Sequence, residues 1–287
     1  MSSEMPRQRV KKYKVLLGSL QRIIFLPYLR CARQRSFLRS LIMNRHFVVL
    51  SILALCYSCS EPTIRKDGYE VHGIDISHYQ KDIDWKAVAN QGVNFAFVKA
   101  SEGESFGDSL YCKNWEEIKR VGIKRGAYHF FRPSISPLLQ AENFISTVEF
   151  THGDLAPVLD VEVTDGVTPD ALLLSVKIWI HIVESVYEVK PIIYSNQKFF
   201  NKYLCRDFKN YPIWIARYSS WWKPHLALGN DWHFWQYGNT GHIAGIAGDV
   251  DFNVFKGNLA DLEALCVAVP EPSPVERPAL DTLAANP

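Results

Sequence analysis

Short apolar runs rich in β-branched and aromatic residues recur along the chain from residue 71 onward. Such residues favour strands, and stretches with helical spacing of apolar residues separate the early runs from one another. Strands that alternate with helices predict parallel βα units. The predicted strands are residues 72–77, 95–100, 126–131, 157–163, 191–195, 212–218, 233–238 and 250–255.

The amphipathic stretches between these runs predict helices near residues 84–91, 109–121, 137–150 and 169–188. Asp84 is expected to cap the first helix, and Pro169 suits the first turn of the fourth. The later connections are shorter, so the last strands follow one another with little helix between them. About eight strands in roughly 190 residues predict an α/β fold, a modified β/α barrel with an incomplete outer helix ring. A doubly wound open sheet is the main structural alternative.

The longest uncharged apolar run, residues 47–57, has 11 residues, which is too short to span a bilayer but suits a signal peptide. Read from Met43, the segment resembles a compact signal peptide that ends in a relaxed bacterial lipobox. Cys59 is then the expected lipid-accepting residue and Cys56 the weaker choice. Residues 1–42 would lie upstream of the true start, and the alternative is an uncleaved signal anchor. Either way, the pattern predicts export.

The net charge of +2 hides a strong asymmetry between the two parts of the chain. Residues 1–58 hold eleven Lys and Arg against one acid, so the rest of the chain carries 21 basic and 29 acidic residues. This predicts a targeting segment at 1–59, a linker at 60–70 and a soluble domain at 71–266. The acidic domain argues against nucleic-acid binding. Residues 267–287 hold five prolines and predict a disordered tail.

Cysteine and histidine spacing argues against a metal centre. The domain contains Cys112, Cys205 and Cys266, with no CxxC pair, so at most one disulfide could form among them. Nine histidines are present without HxH or HExxH spacing, and His129 is expected to be a hydrogen-bonded barrel residue. We therefore expect neither a metal nor another cofactor.

Acidic residues mark three of the predicted strands near the end where β/α barrels gather their functional groups. They are Asp75, the pair Asp160 and Glu162, and Asp251, with Asp249 as a weaker candidate. Residues i and i+2 of a strand share a face, so Asp160 and Glu162 project together from an otherwise apolar strand. Mutual repulsion raises one pKa, as a general acid requires. A metal-ligand cluster and a structural ion pair remain alternatives at this point.

Around these acids the sequence resembles glycoside hydrolase family 25, the Chalaropsis-type lysozymes or N-acetylmuramidases. The resemblance covers residues 71–265 and rests on motifs in the family's order: GIDISHYQKDIDW, FAFVKASEG, GAYHF, PVLDVE, PIWIARY, FWQYG and GDVDFNVF. It implies a modified β/α barrel and cleavage of β-1,4 bonds between N-acetylmuramic acid and N-acetylglucosamine in peptidoglycan.

Motif by motif, the resemblance implies roles for individual residues. Glu162 matches the general acid, and Asp160 matches its partner, which acts as base or orients the substrate's acetamido group. Asp75 and Asp251 match the acids of the first and last strands, and Tyr128 matches an active-site aromatic. Further substrate contacts are expected from Lys99, Tyr194, Trp214, Trp235 and Tyr237, with core packing as the alternative for the aromatic residues.

Two other functions compete with an exported muramidase. A family-18 chitinase has aspartates two and four residues before its DxE motif, where this chain has Val158 and Ala156. A non-catalytic wall-binding barrel is the second alternative, although all four acids are present. We expect peptidoglycan as partner, a membrane contact through a lipid anchor or signal segment, no nucleic acid, and a monomer.

Overall fold

The structure, a computed structural model, describes residues 64–219 and 221–268. The predictions for the signal segment, Met43, Cys59 and nearly all of the tail lie outside the described residues. Within them, no helix combines the length and apolar character needed to cross a bilayer.

Nine strands and six α-helices make up the described fold. The strands are β1 (Val71–Ile76), β2 (Phe95–Glu102), β3 (Phe106–Gly107), β4 (Lys124–Phe130), β5 (Val158–Asp160), β6 (Ile192–Asn196), β7 (Ile213–Ala216), β8 (Phe234–Gly241) and β9 (Val250–Phe255). The helices are α1 (Trp85–Ala89), α2 (Tyr111–Arg120), α3 (Pro137–Thr147), α4 (Pro169–Tyr187), α5 (Gln197–Phe199) and α6 (Leu259–Glu263). A π-helical segment, Phe200–Leu204, continues α5.

Eight of the strands close into a barrel, which confirms the predicted fold class and excludes the open sheet. The strand order is β1-β9-β8-β7-β6-β5-β4-β2, and the parallel pairing of β1 with β2 completes the ring. The short strand β3 pairs only with the end of β2. Helices of 10 to 19 residues lie between β3 and β4, between β4 and β5, and between β5 and β6. No α-helix is found between β7 and β8, within residues 217–219 and 221–233, or between β8 and β9. The outer helix ring is therefore incomplete, as predicted.

Strand β9 differs from the expectation of a parallel sheet, because it runs antiparallel to both β8 and β1. The eight residues between β8 and β9 are too few for a helical crossover, which takes a dozen or more, so the chain turns back as a hairpin. As a result, β9 begins at the end of the barrel where the parallel strands finish.

Aromatic side chains fill the barrel interior. Phe97 stacks on Trp214 at a ring separation of 4.4 Å, and Phe95 and Phe234 meet edge to face at 5.3 Å. Gly73 allows this packing, because a Cβ there would lie 2.4 Å from the Phe95 ring. A small residue opposite a large one thus makes room for the aromatic cluster that fills the interior.

The predicted local features of the outer layer are confirmed. The Asp84 carboxylate accepts hydrogen bonds from the first backbone N–H groups of α1, and Pro169 starts α4. His129 is fully buried, within hydrogen-bond distance of Ser101 and Gln140, and its ring stacks on Trp179. Burial lowers the pKa of His129 to about 4, so it is neutral at physiological pH.

The segments that flank the barrel in sequence also pack against it. Ile64 is buried, and its carbonyl accepts a hydrogen bond from Tyr237 Oη at 2.7 Å. At the other end, Val267 is buried and exchanges backbone hydrogen bonds with Gly153 and Asp154. The three cysteines of the described part, Cys112, Cys205 and Cys266, are free thiols.

Candidate active site

Four carboxyl groups converge on one cavity at the carboxyl-terminal end of the parallel strands. Asp75 lies near the end of β1, Asp160 ends β5, and Glu162 follows two residues later. Asp251 is the second residue of β9, and it faces the same end only because β9 is antiparallel. The cavity has a volume of about 290 Å³ and is lined by all four acids.

A hydrogen-bonded network holds Asp75 in place. Gln236 Nε2 donates to Asp75 Oδ2 at 2.9 Å and to Oδ1 at 3.1 Å, and Asn253 Nδ2 donates to Oδ2 at 2.7 Å. The same Gln236 nitrogen lies 3.2 Å from Asp251 Oδ2. One amide therefore bridges the two carboxyl groups that face each other across the β1–β9 register.

Aromatic side chains fix the orientation of both amides in this network. The hydroxyl groups of Tyr194 and Tyr218 donate to Gln236 Oε1 at 2.9 and 3.2 Å, which turns Nε2 toward the acids. Trp214 Nε1 donates to Asn253 Oδ1 at 2.8 Å in the same way. Tyr194 and Trp214, both expected to contact substrate, thus line the cavity and also support the acids.

Sequence reasoning did not single out Gln236 or Tyr218, although both lie in quoted motifs. Strand alternation carries the missing signal. Phe234 packs inside the barrel, so Gln236 also points inward, whereas Trp235 and Tyr237 point outward. Counting from Phe234 would have selected Gln236.

The structure accordingly does not bring Trp235 and Tyr237 to the four acids. Trp235 is buried in the layer outside the barrel and donates to the Arg217 carbonyl. Tyr237 donates to the Ile64 carbonyl on the same outer side. Asp249 lies outside the cavity too, with an exposed carboxylate 3.6 Å from His242 Nε2.

Lys99 and Tyr128 both line the cavity. Lys99 Nζ does not bond Asp75 but donates to Glu102 Oε2 at 2.7 Å. Arg132 approaches the same carboxylate at 3.7 Å and also pairs with Asp165. The positive charges at this edge of the cavity are therefore already balanced by acids outside the cluster of four.

Crowding and burial shift the pKa of every acid in the cluster upward. Desolvation is the main cause for each of the four. Neighbouring carboxylates add to the effect, as Glu162 does for Asp160 and Asp75 for Glu162. The pKa of Asp251 reaches about 9, with the Asp75 charge and hydrogen bond contributing after burial. Gln236 and Asn253 oppose the shift at Asp75 because they donate to its charged form, so Asp251 is the member of the pair that burial and the Asp75 charge favour in the protonated form.

Asp160 and Glu162 differ in how they are held. Asp160 is 6% exposed, and its Oδ1 atom has no hydrogen-bond partner among the described residues. Glu162 is more open to the cavity, and a hydrogen bond from Asn196 partly opposes the rise in its pKa. Glu162 is thus an accessible carboxylic acid beside a buried carboxyl oxygen that lacks a protein donor.

The cluster does not have the form of a metal centre. Within residues 64–219 and 221–268, no three or more His, Cys, Asp or Glu side chains are arranged to hold a metal ion. Amide and phenol donors surround the acids instead. This arrangement suits proton transfer and hydrogen bonding to a neutral polar ligand.

Comparison with known proteins places this geometry in a family. The model of glycosyl hydrolases family 25 matches residues 74–246. This range includes Asp75, Asp160 and Glu162 but not Asp251. The chain belongs to this family and is therefore a glycoside hydrolase, as the sequence motifs predicted.

Individual relatives agree with this assignment. The uncharacterized protein YegX of Escherichia coli K12 is 41% identical over 71% of this chain and 76% of its own length. Lysozyme M1 of Streptomyces globisporus is 34% identical over 68% of this chain and 71% of its own. Among solved structures, a family 25 glycosyl hydrolase from Bacillus anthracis superposes with a TM-score of 0.66 at 34% identity, covering 70% of this chain and 95% of that one.

Proposed function

We propose that this chain is a muramidase that hydrolyses β-1,4 bonds between N-acetylmuramic acid and N-acetylglucosamine in peptidoglycan. The observation that carries the proposal is the convergence of four carboxyl groups, all with raised pKa values, on one open cavity. Glycoside hydrolysis commonly uses such paired carboxyl groups. Relatives named lysozyme, and the N,O-diacetylmuramidase of Chalaropsis, which is 29% identical over 44% of this chain, support the choice of polymer.

Glu162 is the general acid in this proposal. Burial and the neighbouring Asp75 charge raise its pKa, so that it keeps a proton closer to neutral pH than a free glutamate does. It is also the acid of the DxE pair that remains open to the cavity. It donates this proton to the glycosidic oxygen as the bond to the leaving sugar breaks.

Asp160 acts on the substrate's acetamido group. Its unpartnered Oδ1 is an acceptor in a buried position, and an unsatisfied buried acceptor favours a ligand that supplies a donor. The N–H of a 2-acetamido sugar is such a donor, and the neighbouring Glu162 would then meet the adjacent glycosidic oxygen. Asp75 and Asp251 share one proton and position the same substrate through Gln236.

The direct test is to incubate the protein with purified peptidoglycan and measure released reducing ends. Borohydride reduction followed by acid hydrolysis identifies the sugar at each new end. Muramitol supports the proposal, whereas glucosaminitol indicates a glucosaminidase. Absence of new reducing ends under conditions where the protein binds the polymer favours the non-catalytic alternative.

We further propose export, with the catalytic domain acting outside the cytoplasm as a monomer and Cys59 lipidated. The 11-residue apolar run ahead of Cys59 supports this, and peptidoglycan itself lies outside the cytoplasm. Radiolabelled palmitate should enter the protein expressed from Met43 in a bacterial host. The Cys59→Ser variant should lose the label, while Cys56→Ser serves as the matched control and should retain it.

A further inference from the structure

A second groove adjoins the four-acid cavity at Glu162. It has a volume of about 690 Å³ and follows the ends of β6 and β7. Glu162 lines both spaces, and Tyr218 does so as well. A polymer whose scissile oxygen lies at Glu162 therefore continues from the cavity into this groove.

The groove differs from the cavity in charge. Lys198 is exposed and Arg217 is half-buried, and both line the groove. Neither forms an ion pair with any carboxylate of the described residues. This contrasts with Lys99 at the cavity, which is paired with Glu102.

Arg217 is also oriented before any ligand binds. One guanidinium nitrogen donates to Gln197 Oε1 at 2.9 Å, and the same oxygen accepts the His225 backbone N–H at 3.1 Å. The other guanidinium donors have no partner among the described residues, so they can meet a carboxylate in the forked geometry that arginine favours. Asn196, Gln197 and Ser219 add neutral polar groups to the same walls.

We infer that this groove, which holds the leaving side of the polymer, binds the carboxylate-bearing substituent on the next muramic acid beyond the leaving N-acetylglucosamine, through Lys198 and Arg217. The inference rests on the proposed function and adds a recognition element to it. Each muramic acid carries a lactyl ether, whose carboxyl group is either free or extended by a peptide that has carboxylates of its own. Chitin lacks this substituent, so the groove distinguishes peptidoglycan from an uncharged acetamido-sugar polymer.

The local charge matters because the chain as a whole does not attract an anionic polymer. Outside residues 1–58, acids exceed bases by eight. Long-range attraction is therefore absent, and exposed charges act over about one Debye length of roughly 8 Å at physiological salt. Lys198 and Arg217 line the same groove as Glu162. They therefore attract the carboxylates of the polymer only close to the bond that Glu162 would cleave.

The test compares kcat/KM on three forms of one peptidoglycan preparation. The first is native, the second has its carboxylates converted to neutral methylamides with carbodiimide and methylamine, and the third is stripped of peptides by an amidase, which exposes the lactyl carboxylates. For the wild type, native polymer should exceed the methylamide form by about fivefold, as two exposed ion pairs predict. This preference should shrink as salt is added.

The double variant Lys198→Gln/Arg217→Gln should reduce the ratio of native to methylamide turnover to near one. Lys198→Gln alone should remove about half of the preference for native over methylamide polymer. Because this side chain is exposed, the single variant should fold normally and keeps the test valid if the double variant does not fold. The control Lys190→Gln/Lys209→Gln removes the same charge from a cavity at the opposite end of the barrel and should keep the wild-type ratio.

Each outcome has one meaning. A high rate on the stripped polymer assigns the contact to the lactyl carboxylate, and a low rate assigns it to the peptide carboxylates. An active wild type whose ratio is the same as that of the double variant overturns the inference and leaves the muramidase proposal standing. A wild type that releases no reducing ends from any of the three forms overturns the proposed function itself.

Discussion

At the amino-terminal end of the barrel, Asp154 is buried but fully paired. Arg125 donates to its two carboxylate oxygens at 2.7 and 3.0 Å, and Thr151 donates from both backbone and hydroxyl. At the carboxyl-terminal end, four acids share a cavity whose lining lysine, Lys99, is paired with Glu102, and one oxygen of Asp160 has no partner among the described residues. The same fold thus neutralises a buried carboxylate at one end and crowds several at the other.

The two ends of the barrel therefore serve different purposes: the paired Asp154 stabilises the fold, and the crowded acids supply chemistry. A buried ion pair with all its hydrogen bonds made holds elements together, and Arg125 also bonds the Trp115 carbonyl of α2. Crowded carboxyl groups oppose folding at neutral pH but supply acids with raised pKa values. The barrel tolerates the second arrangement because aromatic packing below the cavity is solid.

The largest expected effect comes from neutralising the proposed general acid. Glu162→Gln keeps the size of the side chain but cannot donate the proton, so kcat on peptidoglycan should fall by about 10²–10⁴-fold. Thermal unfolding should stay close to wild type, because glutamine has the same shape as glutamate and leaves the packing around residue 162 unchanged. A variant that keeps more than a tenth of the wild-type kcat would remove Glu162 from the role proposed here.

At the opposite end, Asp154→Ala should cost stability rather than chemistry. It leaves the Arg125 guanidinium buried without its carboxylate, which destabilises by about 3–5 kcal/mol and lowers Tm by about 10 °C. Calorimetry measures this shift, and kcat below the transition should remain near wild type. Asp82→Ala, at an exposed carboxylate beside Lys113, is the control and should leave Tm in place. An unchanged Tm in Asp154→Ala contradicts the stabilising role of the pair.

Gln236→Met tests whether the bridging amide tunes the acids. The change removes the donors that favour the charged form of Asp75, so the pKa of Asp75 rises further. We expect kcat/KM to fall about tenfold and the acid limb of its pH profile to move up by about one unit. Tyr237→Phe, on the outward face of the same strand, should leave that limb unmoved. A uniform loss of activity with no shift of the limb would indicate a purely structural role.

The smallest effect is a gain in stability from Asp251→Asn. The folded pKa of Asp251 is about 9, and an unfolded aspartate has a pKa of about 4. The stability that this carboxyl contributes is thus present below about pH 4 and is lost as pH rises toward 9. Asparagine stays neutral and can still donate to Asp75, so Tm should rise by about 2–4 °C at pH 8 and change little at pH 4. Asp249→Asn, at an exposed carboxylate, is the matched control and should leave Tm in place. A lower Tm at pH 8 for Asp251→Asn contradicts the assignment of Asp251 as protonated.

Much of this arrangement follows from sequence alone. Alternating strand and helix patterns determined the α/β class and favoured a barrel, because the two periodicities differ and each apolar face must be buried. Only the pairing of β1 with β2 excluded an open sheet. The DxE spacing predicted that Asp160 and Glu162 project together from one strand. Both do line the cavity, although β5 ends at Asp160 and Glu162 follows the strand. Seven motifs in family order determined the enzyme class. These features are local, or they are repeated often enough along the chain to be recognised without coordinates.

Other features depended on contacts between distant parts of the chain. The direction of β9 decides that Asp251 joins the acids, and strand patterning is the same for either direction. Strand alternation puts Gln236 on the same face as Phe234, but its contact with Asp75, 161 residues away in sequence, exists only because the barrel closes. The pKa shifts and the unpaired state of Arg217 arise from which charges the closed barrel brings near one another. The sequence determines which side chains carry charge. Which charges lie near one another, and therefore how their pKa values shift, is decided only when the barrel closes.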